Sequence, residues 1–536
     1  MPLMGSLYIG VSGLQTSQNA LNTTAHNISN IDTVGYVRQQ VSLSDRIYNT
    51  ISVNRSSISN QQLGLGVTYS AVRQVRSYFL DQSYRKESGR SAFYEKSAET
   101  LGEVENLFGE LEGVTFSDSL KNLWEAVQEL AKSPKDTVKQ GLLVTRSAQF
   151  LDNAQAVYKG LESYQSNLNL QVKSQVEKIN KYGKQINELN QRISNIESGG
   201  VERANDLRDA RNQILDELSG LANISYDENA NTVVTVSIEG VPFVTLDNVY
   251  EMGLDMDEKT GFYTPFWPQN ATYTLDADGN KIYKIENAEV FDLSRTISTE
   301  ADTNIGSLKA TLWARGDHAA TYEDLADKDY YDTNISQSVI MNVQAEFDQL
   351  IHKITTSMNQ VLADAAARAT ALDGDSTYMR PGVGQPAYQL FQTIAGTSFT
   401  TANLQINKEL QEQPSKLGFV LADKSEDKET ADALKALFTD ESYTLNPNVT
   451  KKNTFIDYYS DLISQVGNSG LVYRSFVSTQ QETIESIEAA RQQIMGVSQD
   501  EELTNMIKFQ NAYNAASRYV NVIDEMLEHV ISTLGR

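Results

Sequence analysis

The side chains that could carry chemistry in this chain are few and poorly spaced for it. The four histidines, His26, His318, His352 and His529, are scattered. None pairs with another at a metal-ligand spacing, and no H-E-x-x-H stretch puts two imidazoles on one helix face. There is no cysteine, which removes thiolate zinc sites, disulfides and cysteine nucleophiles together. No phosphate-cradling glycine loop and no dinucleotide fingerprint occurs. Asp276-Ala277-Asp278-Gly279-Asn280 approaches a calcium loop. An EF-hand, however, needs Gly at its sixth position and Glu at its twelfth, and a hairpin turn is the better expectation. Asp373-Gly374-Asp375-Ser376 likewise reads as a loop. Among 70 Asp and Glu residues, nothing singles out a pair as acid and base. The expectation is a protein that is not an enzyme, with no catalytic residue, cofactor or metal.

The informative residues are apolar and sit at the two ends. Leu7, Leu14, Leu21 and Ile28 fall seven apart, with Met4, Val11 and Ala25 three residues before or four after them, in a stretch of thirty-one residues free of Lys, Arg, Asp and Glu. Met506, Phe509, Tyr513, Ala516, Val520, Ile523, Leu527, Val530 and Leu534 alternate steps of three and four. Such spacing lays side chains along one seam of a helix and fits coiled-coil packing. A chain that begins and ends in seams is expected to pair its ends, making the rest an insertion.

The 536 residues suffice for several domains, and a net charge of −25 argues against nucleic acid or anionic membranes as partners. No apolar run is long enough for a membrane span, and no basic-then-apolar signal peptide is visible.

Between the seams the periodicity changes several times. Val37 to Leu43 and Val67 to Val75 read as extended segments. Helical spacing runs from about Tyr78 to Ala131. A long helix follows from about Asp136 to Glu197, with a seam at Ile179, Tyr182, Ile186, Leu189, Ile193 and Ile196, and Gly199-Gly200 stops it. A shorter helix spans about Arg203 to Leu221. Residues 224–315 alternate like strands, helical spacing returns from about Ile335 to Ala367, and 370–454 is mixed. From Phe455 the chain is helical, with interruptions expected near Gly467 to Gly470 and Gly496 to Asp500.

The fold expected is multidomain, mainly α with a β insertion. Paired N- and C-terminal coiled-coil helices form a terminal assembly domain (1–65 with 481–536). A long-helix bundle domain takes 66–224 with 330–368 and 455–480. The β domain is 225–329. Residues 369–454 form a small mixed α/β insertion of their own or belong with the first.

Ser12 to Tyr36 resembles the N-terminal signature of bacterial flagellar axial proteins (rod, hook and hook-associated proteins). The matching positions include Ser12, Gly13, Leu14, Gln18, Asn27, Ile28, Asn30, Thr33, Gly35 and Tyr36. Met506 to Leu527 resembles the same superfamily's C-terminal helix through Gln510, Ala512, Tyr513 and Ala515. Asp206 to Leu221 is similar to the helix before the β domain in the hook-associated protein 1 family, the hook–filament junction proteins. At Ile31-Asp32-Thr33-Val34 the chain departs from that pattern.

The resemblance implies a structural subunit of the bacterial flagellum, exported without a cleaved signal. Its place is extracellular, at the hook–filament junction. The implied partners are copies of itself in a ring, the hook protein, the second junction protein, the filament cap protein and an export chaperone on the C-terminal helix. The terminal helices would form the inner tube, through Leu7, Val11, Leu14, Leu21 and Ile28 and the C-terminal seam. They would be disordered in the monomer and helical in the assembly, with Ser, Thr, Asn and Gln keeping the outer faces polar without like-charge repulsion. The alternatives are another axial protein, such as a long hook protein, or a secreted enzyme carried on axial-type termini.

Overall fold

A computed structural model of the chain describes residues 2–46, 48–53, 60–109, 115–200, 202–276, 281–373, 388–421 and 424–534. The chain opens with helix α1 (Pro2–Ser29) and strands β1 (Gln39–Asp45), β2 (Asn49–Val53), β3 (Asn60–Leu63) and β4 (Val67–Gln74). Four helices follow, α2 (Tyr78–Phe108), α3 (Phe116–Lys132), α4 (Thr137–Glu197) and α5 (Asn205–Leu221). Seven short strands come next: β5 (Ile224–Glu228), β6 (Val234–Ile238), β7 (Val241–Val244), β8 (Gly253–Met256), β9 (Tyr263–Phe266), β10 (Thr272–Leu275) and β11 (Lys281–Lys284). Then come α6 (Ser307–Arg315), the short α7 (Lys328–Tyr330), α8 (Val339–Asp373), β12 (Phe391–Thr393), β13 (Leu404–Ile406), α9 (Lys408–Glu412) and α10 (Lys428–Thr439). Helices α11 (Phe455–Met495) and α12 (Gln499–Leu534) end the chain. Long helices thus dominate, with small antiparallel sheets between them, in line with the expected mainly α fold.

Three local expectations change. Residues 307–315 are helical, not strand. Leu308 to Arg315 are all buried, so the segment has no polar face to reveal its period. Helix α11 runs unbroken through Gly467 and Gly470. A side chain on Gly470 would stand 2.8 Å from Glu105 Oε1, and the bare backbone there leaves room for the Glu105–Arg474 ion pair (3.4 Å). The stretch read as one helical pattern from Tyr78 to Ala131 forms two helices, the second capped by Thr115, whose hydroxyl accepts from Asp118 N at 3.1 Å. Where a stop was expected, Gly200 takes a φ of +69°, which glycine adopts without strain. The Asp276–Asn280 turn lies largely outside the described residues, as does most of Asp373–Ser376.

The chain divides into two compact units. The first comprises residues 1–89, 178–251 and 480–536, the second 90–177 and 252–479. The second holds the large apolar core. In it Leu120, Leu123, Val127 and Leu130 of α3 pack with Phe150, Leu161 and Leu168 of α4, Phe347 to Met358 of α8, and Phe455 and Leu462 of α11. Trp124 stacks on Phe438 at 5.1 Å. In the first unit, α1 and α12 pack on one another and β1 pairs antiparallel with β4. A three-stranded sheet, β5-β6-β7, lies against the end of α4. There the backbone of Gly183 comes so near Phe243 that a Cβ would stand 2.4 Å from its ring.

Candidate assembly face on the terminal helices

Helix α1 presents a buried row of small and polar residues to the β1–β4 hairpin. Ser12, Thr16, Ala20, Thr24 and Asn27 are all buried, at helical steps of four and three. The hydroxyls of Ser12 and Thr16 are satisfied within the helix and its neighbouring strand. Ser12 Oγ donates to Ile9 O (2.7 Å) and accepts from Val67 N (3.3 Å), and Thr16 Oγ1 donates to Ser12 O (2.8 Å). Gly66, with φ +88°, sits so close to Ser12 that a Cβ would stand 2.2 Å from Ser12 Oγ. This row corrects the expectation of polar outer faces. Hydroxyls bonded to carbonyls one turn back are cheap to bury, and their small size lets the hairpin approach.

A second face of α1 meets α12. A Cβ on Gly10 would fall 2.6 Å from Val520 Cγ2, and one on Gly13 would fall 3.4 Å from Ala516 Cβ. Rising number on α1 thus meets falling number on α12, so the helices run antiparallel at close range. In the single chain both segments are helical and pack on one another, with Gly10 and Gly13 of α1 against Val520 and Ala516 of the C-terminal seam, unlike the expectation of terminal segments disordered until assembly.

Of the seam residues, Leu7, Leu14, Leu21 and Ile28 are half-buried, as are Met506, Phe509, Tyr513, Val520 and Leu527. Ile523 is buried, whereas Val11 and Val530 are exposed. Leu534 ends α12, and its side chain lies outside the described residues. The pairing leaves further apolar side chains in solvent. On α1 these are Met4, which the heptad reading included, and Tyr8 (59% exposed), which it did not. On α12 they are Leu503, Ile507, Tyr519, Val522, Met526 and Ile531 (71%). Met4, Tyr8 and Val11, like Tyr519, Val522, Met526 and Val530, recur at helical steps. Tyr8, Tyr519, Val522 and Met526 could have been found in the sequence as apolar residues flanking the seams, to which Met4, Val11 and Val530 already belong.

The signature residues at the end of α1 fix the loop that follows. Asn27 Nδ2 donates to Gln39 O (2.9 Å), while Asn27 Oδ1 accepts from Gln39 N (3.0 Å) and from the Tyr36 hydroxyl (2.7 Å). Asn30 Nδ2 donates to His26 O at 2.9 Å, and Gly35 supplies a φ of +80°. Burial and the nearby Asp209 raise the Tyr36 hydroxyl far above the ordinary tyrosine value, so it stays a donor. Gln510 and Gly13 differ in setting: Gln510 is exposed, while half-buried Gly13 faces α12.

The loop is then tied to three helices. Val37 N donates to Asp209 Oδ2 of α5 (3.3 Å), and Arg38 N donates to Met495 O of α11 (2.8 Å). The Arg38 side chain pairs with Glu501 and Glu502 at the start of α12, each at 2.9 Å. Carboxylates there also suit the helix dipole. Buried Arg491 bridges Asp81 and Asp216, each at 3.0 Å, and lies over the Tyr84 ring at 4.1 Å. Sequence reading missed these charges, since one linear pattern does not say which acid meets which base.

The histidines remain apart. His26 Nδ1 meets the Tyr36 hydroxyl (2.9 Å), His318 is held between Asp317 and Asp324, and His352 stacks on Tyr322 at 3.7 Å between ring centroids. Among the described residues no group of three His, Asp or Glu side chains could hold a metal ion. None of their helices is long and apolar enough to cross a membrane.

The family model described as flagellar hook-associated protein FlgK helical domain matches residues 101–375, more than half of the chain. The chain belongs to the FlgK family of flagellar hook-associated proteins. A flagella basal body rod protein model matches 7–36, and a flagellar basal body rod FlgEFG protein C-terminal model matches 493–533. These ranges cover the signature loop and both paired helices. The chain is 26% identical to flagellar hook-associated protein 1 of Bacillus subtilis over 99% of both chains. It is 23% identical to that of Salmonella typhimurium, over 97% of this chain and 98% of the relative. In fold it is similar to the flagellar hook junction protein FlgK from Burkholderia pseudomallei, with a TM-score of 0.54, 12% identity, and coverage of 77% of this chain and 99% of that one. Membership places the chain among structural proteins of the flagellum that associate with one another and with hook components.

Proposed function

We propose that this protein is a structural subunit of the hook–filament junction, required for building the filament on the hook. The observation that carries the reading is the terminal helix pair. The two helices pack on one another in the single chain, while Met4, Tyr8, Val11, Tyr519, Val522 and Met526 stay exposed. An apolar stripe left in solvent on a paired helix marks a contact surface. Each such side chain contributes roughly 1.5–3 kcal/mol on burial, so a ring of copies gains well beyond the cost of ordering. The absence of charged residues from the first thirty-one positions supports close packing of identical α1 helices.

On this reading residues 1–65 with 481–536 form the assembly domain and line the inner tube. The partners are copies of the chain, the hook protein and the second junction protein, with the filament cap protein present during assembly. A chaperone covers the C-terminal stripe before export, which proceeds without a cleaved signal to an extracellular place on the flagellum. The role is structural, with no chemistry of its own. Deleting the gene should leave complete hooks without filaments and release filament subunits into the medium. Loss of the hooks themselves would overturn the assignment in favour of a hook protein. A complementing Tyr8→Glu, Met526→Glu variant should fold and be exported but fail to support filaments.

A further inference from the structure

A concentration of positive charge stands out in a chain of net charge −25. Within the first unit, Arg73, Arg76, Arg85, Arg203, Arg208 and Arg211 line a cavity of about 550 Å³ whose wall holds only two carboxylates, Asp81 and Glu228. The inner arginines are held by ion pairs. Arg76 meets Asp81 at 2.8 Å, Arg85 meets Asp216 at 2.6 Å, Arg208 spans Glu197 (2.7 Å) and Glu228 (2.9 Å), and Arg203 at the rim also meets Glu197 at 2.8 Å. Arg211 donates to Asn190 Oδ1 (2.9 Å) and to Glu228 (3.0 Å).

These pairs account for the rigidity of the wall but not for all its donors. Arg85 and Arg211 are only 3% and 2% exposed. Yet Arg211 Nε has no hydrogen-bond partner, and Arg85 Nη1 has none beyond the neighbouring Tyr226 hydroxyl on the same wall. The Arg85 guanidinium lies over the Tyr226 ring at 4.3 Å. A buried N–H left without an acceptor costs about 1–3 kcal/mol, and a charged one more. Arg73 is exposed at the rim and, among the described residues, makes no ion pair. A wall of fixed guanidinium forks with a spare buried donor, and an unpaired Arg73 at its rim, matches the planar, bidentate geometry of a phosphate or carboxylate.

We propose that this arginine-lined pocket between β4, α2 and α5 binds an oxyanion, either a free phosphorylated compound or the carboxylates of an acidic protein segment. The inner arginines position the anion and the rim pair, Arg73 and Arg203, closes over it. The site is separate from the exposed stripes of the terminal helices and does not depend on their role.

The test uses the full chain in calorimetric titrations at low ionic strength. One arm titrates sodium pyrophosphate, the other a hexaglutamate peptide, each against sodium chloride at matched ionic strength. Saturable one-to-one binding in either arm is expected, and the arm that saturates identifies the source of the oxyanion. Arg73→Gln, exposed and unpaired, should weaken binding about tenfold, and Arg73→Gln with Arg203→Gln more. Arg192→Gln, on an exposed face of α4 outside the pocket, should leave binding unchanged. Failure to saturate in both arms overturns the proposal. So does binding that chloride reproduces, or a loss as large in Arg192→Gln as in Arg73→Gln.

Discussion

The close approach of α1 and α12 makes a prediction in which two glycines three residues apart behave oppositely. Replacing either with alanine gains about 0.8–1 kcal/mol of helix propensity, because the unfolded chain has less freedom to lose. At Gly13 the new methyl would lie 3.4 Å from Ala516 Cβ, close to an ordinary contact, so the gain survives. At Gly10 it would lie 2.6 Å from Val520 Cγ2 and 3.1 Å from the Tyr519 ring. These belong to two neighbouring side chains on α12, so no single rotamer change relieves both. Overpacking of this kind costs about 1–3 kcal/mol, leaving Gly10→Ala roughly neutral to 2 kcal/mol destabilising for the pair. Amide hydrogen exchange across residues 5–25 and 510–527 of the full chain reads the difference directly, since 1 kcal/mol changes protection by a factor of about five. Gly13→Ala should raise protection and Gly10→Ala should lower it or leave it unchanged. Filament growth in a complemented deletion strain should follow the same order. Equal gains in protection for both variants would refute the antiparallel register and the close crossing derived from it.

Three further outcomes follow from buried polar groups. Glu346 is fully buried and accepts from Asn446 (2.7 Å) and Gln465 (3.0 Å), and burial pushes its carboxyl from an ordinary 4.5 up to about 7. The unfolded chain therefore ionises first, so Glu346 should by itself take about 3 kcal/mol from the second unit between pH 4.5 and 7, beside losses in the same direction from buried Asp348 and, above pH 6.5, from His318. Glu346→Gln should remove its own share of this loss, which urea melts followed by tryptophan fluorescence check, because Trp124, Trp267 and Trp313 all lie in that unit. Arg491→Met leaves Asp81 and Asp216 short of a buried partner and should cost about 3–5 kcal/mol in the first unit, seen as faster exchange in α5 and the end of α11. Asn27→Ala strands the backbone groups of Gln39 and should cost about 1–3 kcal/mol, with exchange rising in β1 and the 31–38 loop.

What was legible in the sequence and what was not divide along one physical line. Period shows wherever one face of an element is apolar and another polar. The α4 seam announced itself through Ile179, Tyr182, Ile186 and Ile193, which are buried. The same rule fails where burial is polar. Asn190, one step from that seam, is 1% exposed because its amide holds the backbone of β6, donating to Val234 O (2.8 Å) and accepting from Val234 N (3.1 Å). In sequence it reads as surface. Helix α1 repeats the case: Ser12, Thr16 and Thr24 are buried, while the leucines that drew attention are only half-buried. That inversion bears on assembly. Small hydroxyl residues pack the helix against its own hairpin, glycines pack it against α12, and the larger apolar side chains are thereby left over for neighbours. A sequence that placed its leucines in the intramolecular contact would gain stability as a single chain and lose the surface on which copies can join. The heptad stripe is thus visible in the sequence for the same reason that it is incompletely buried in the fold: it is the part of α1 that the single chain does not use up.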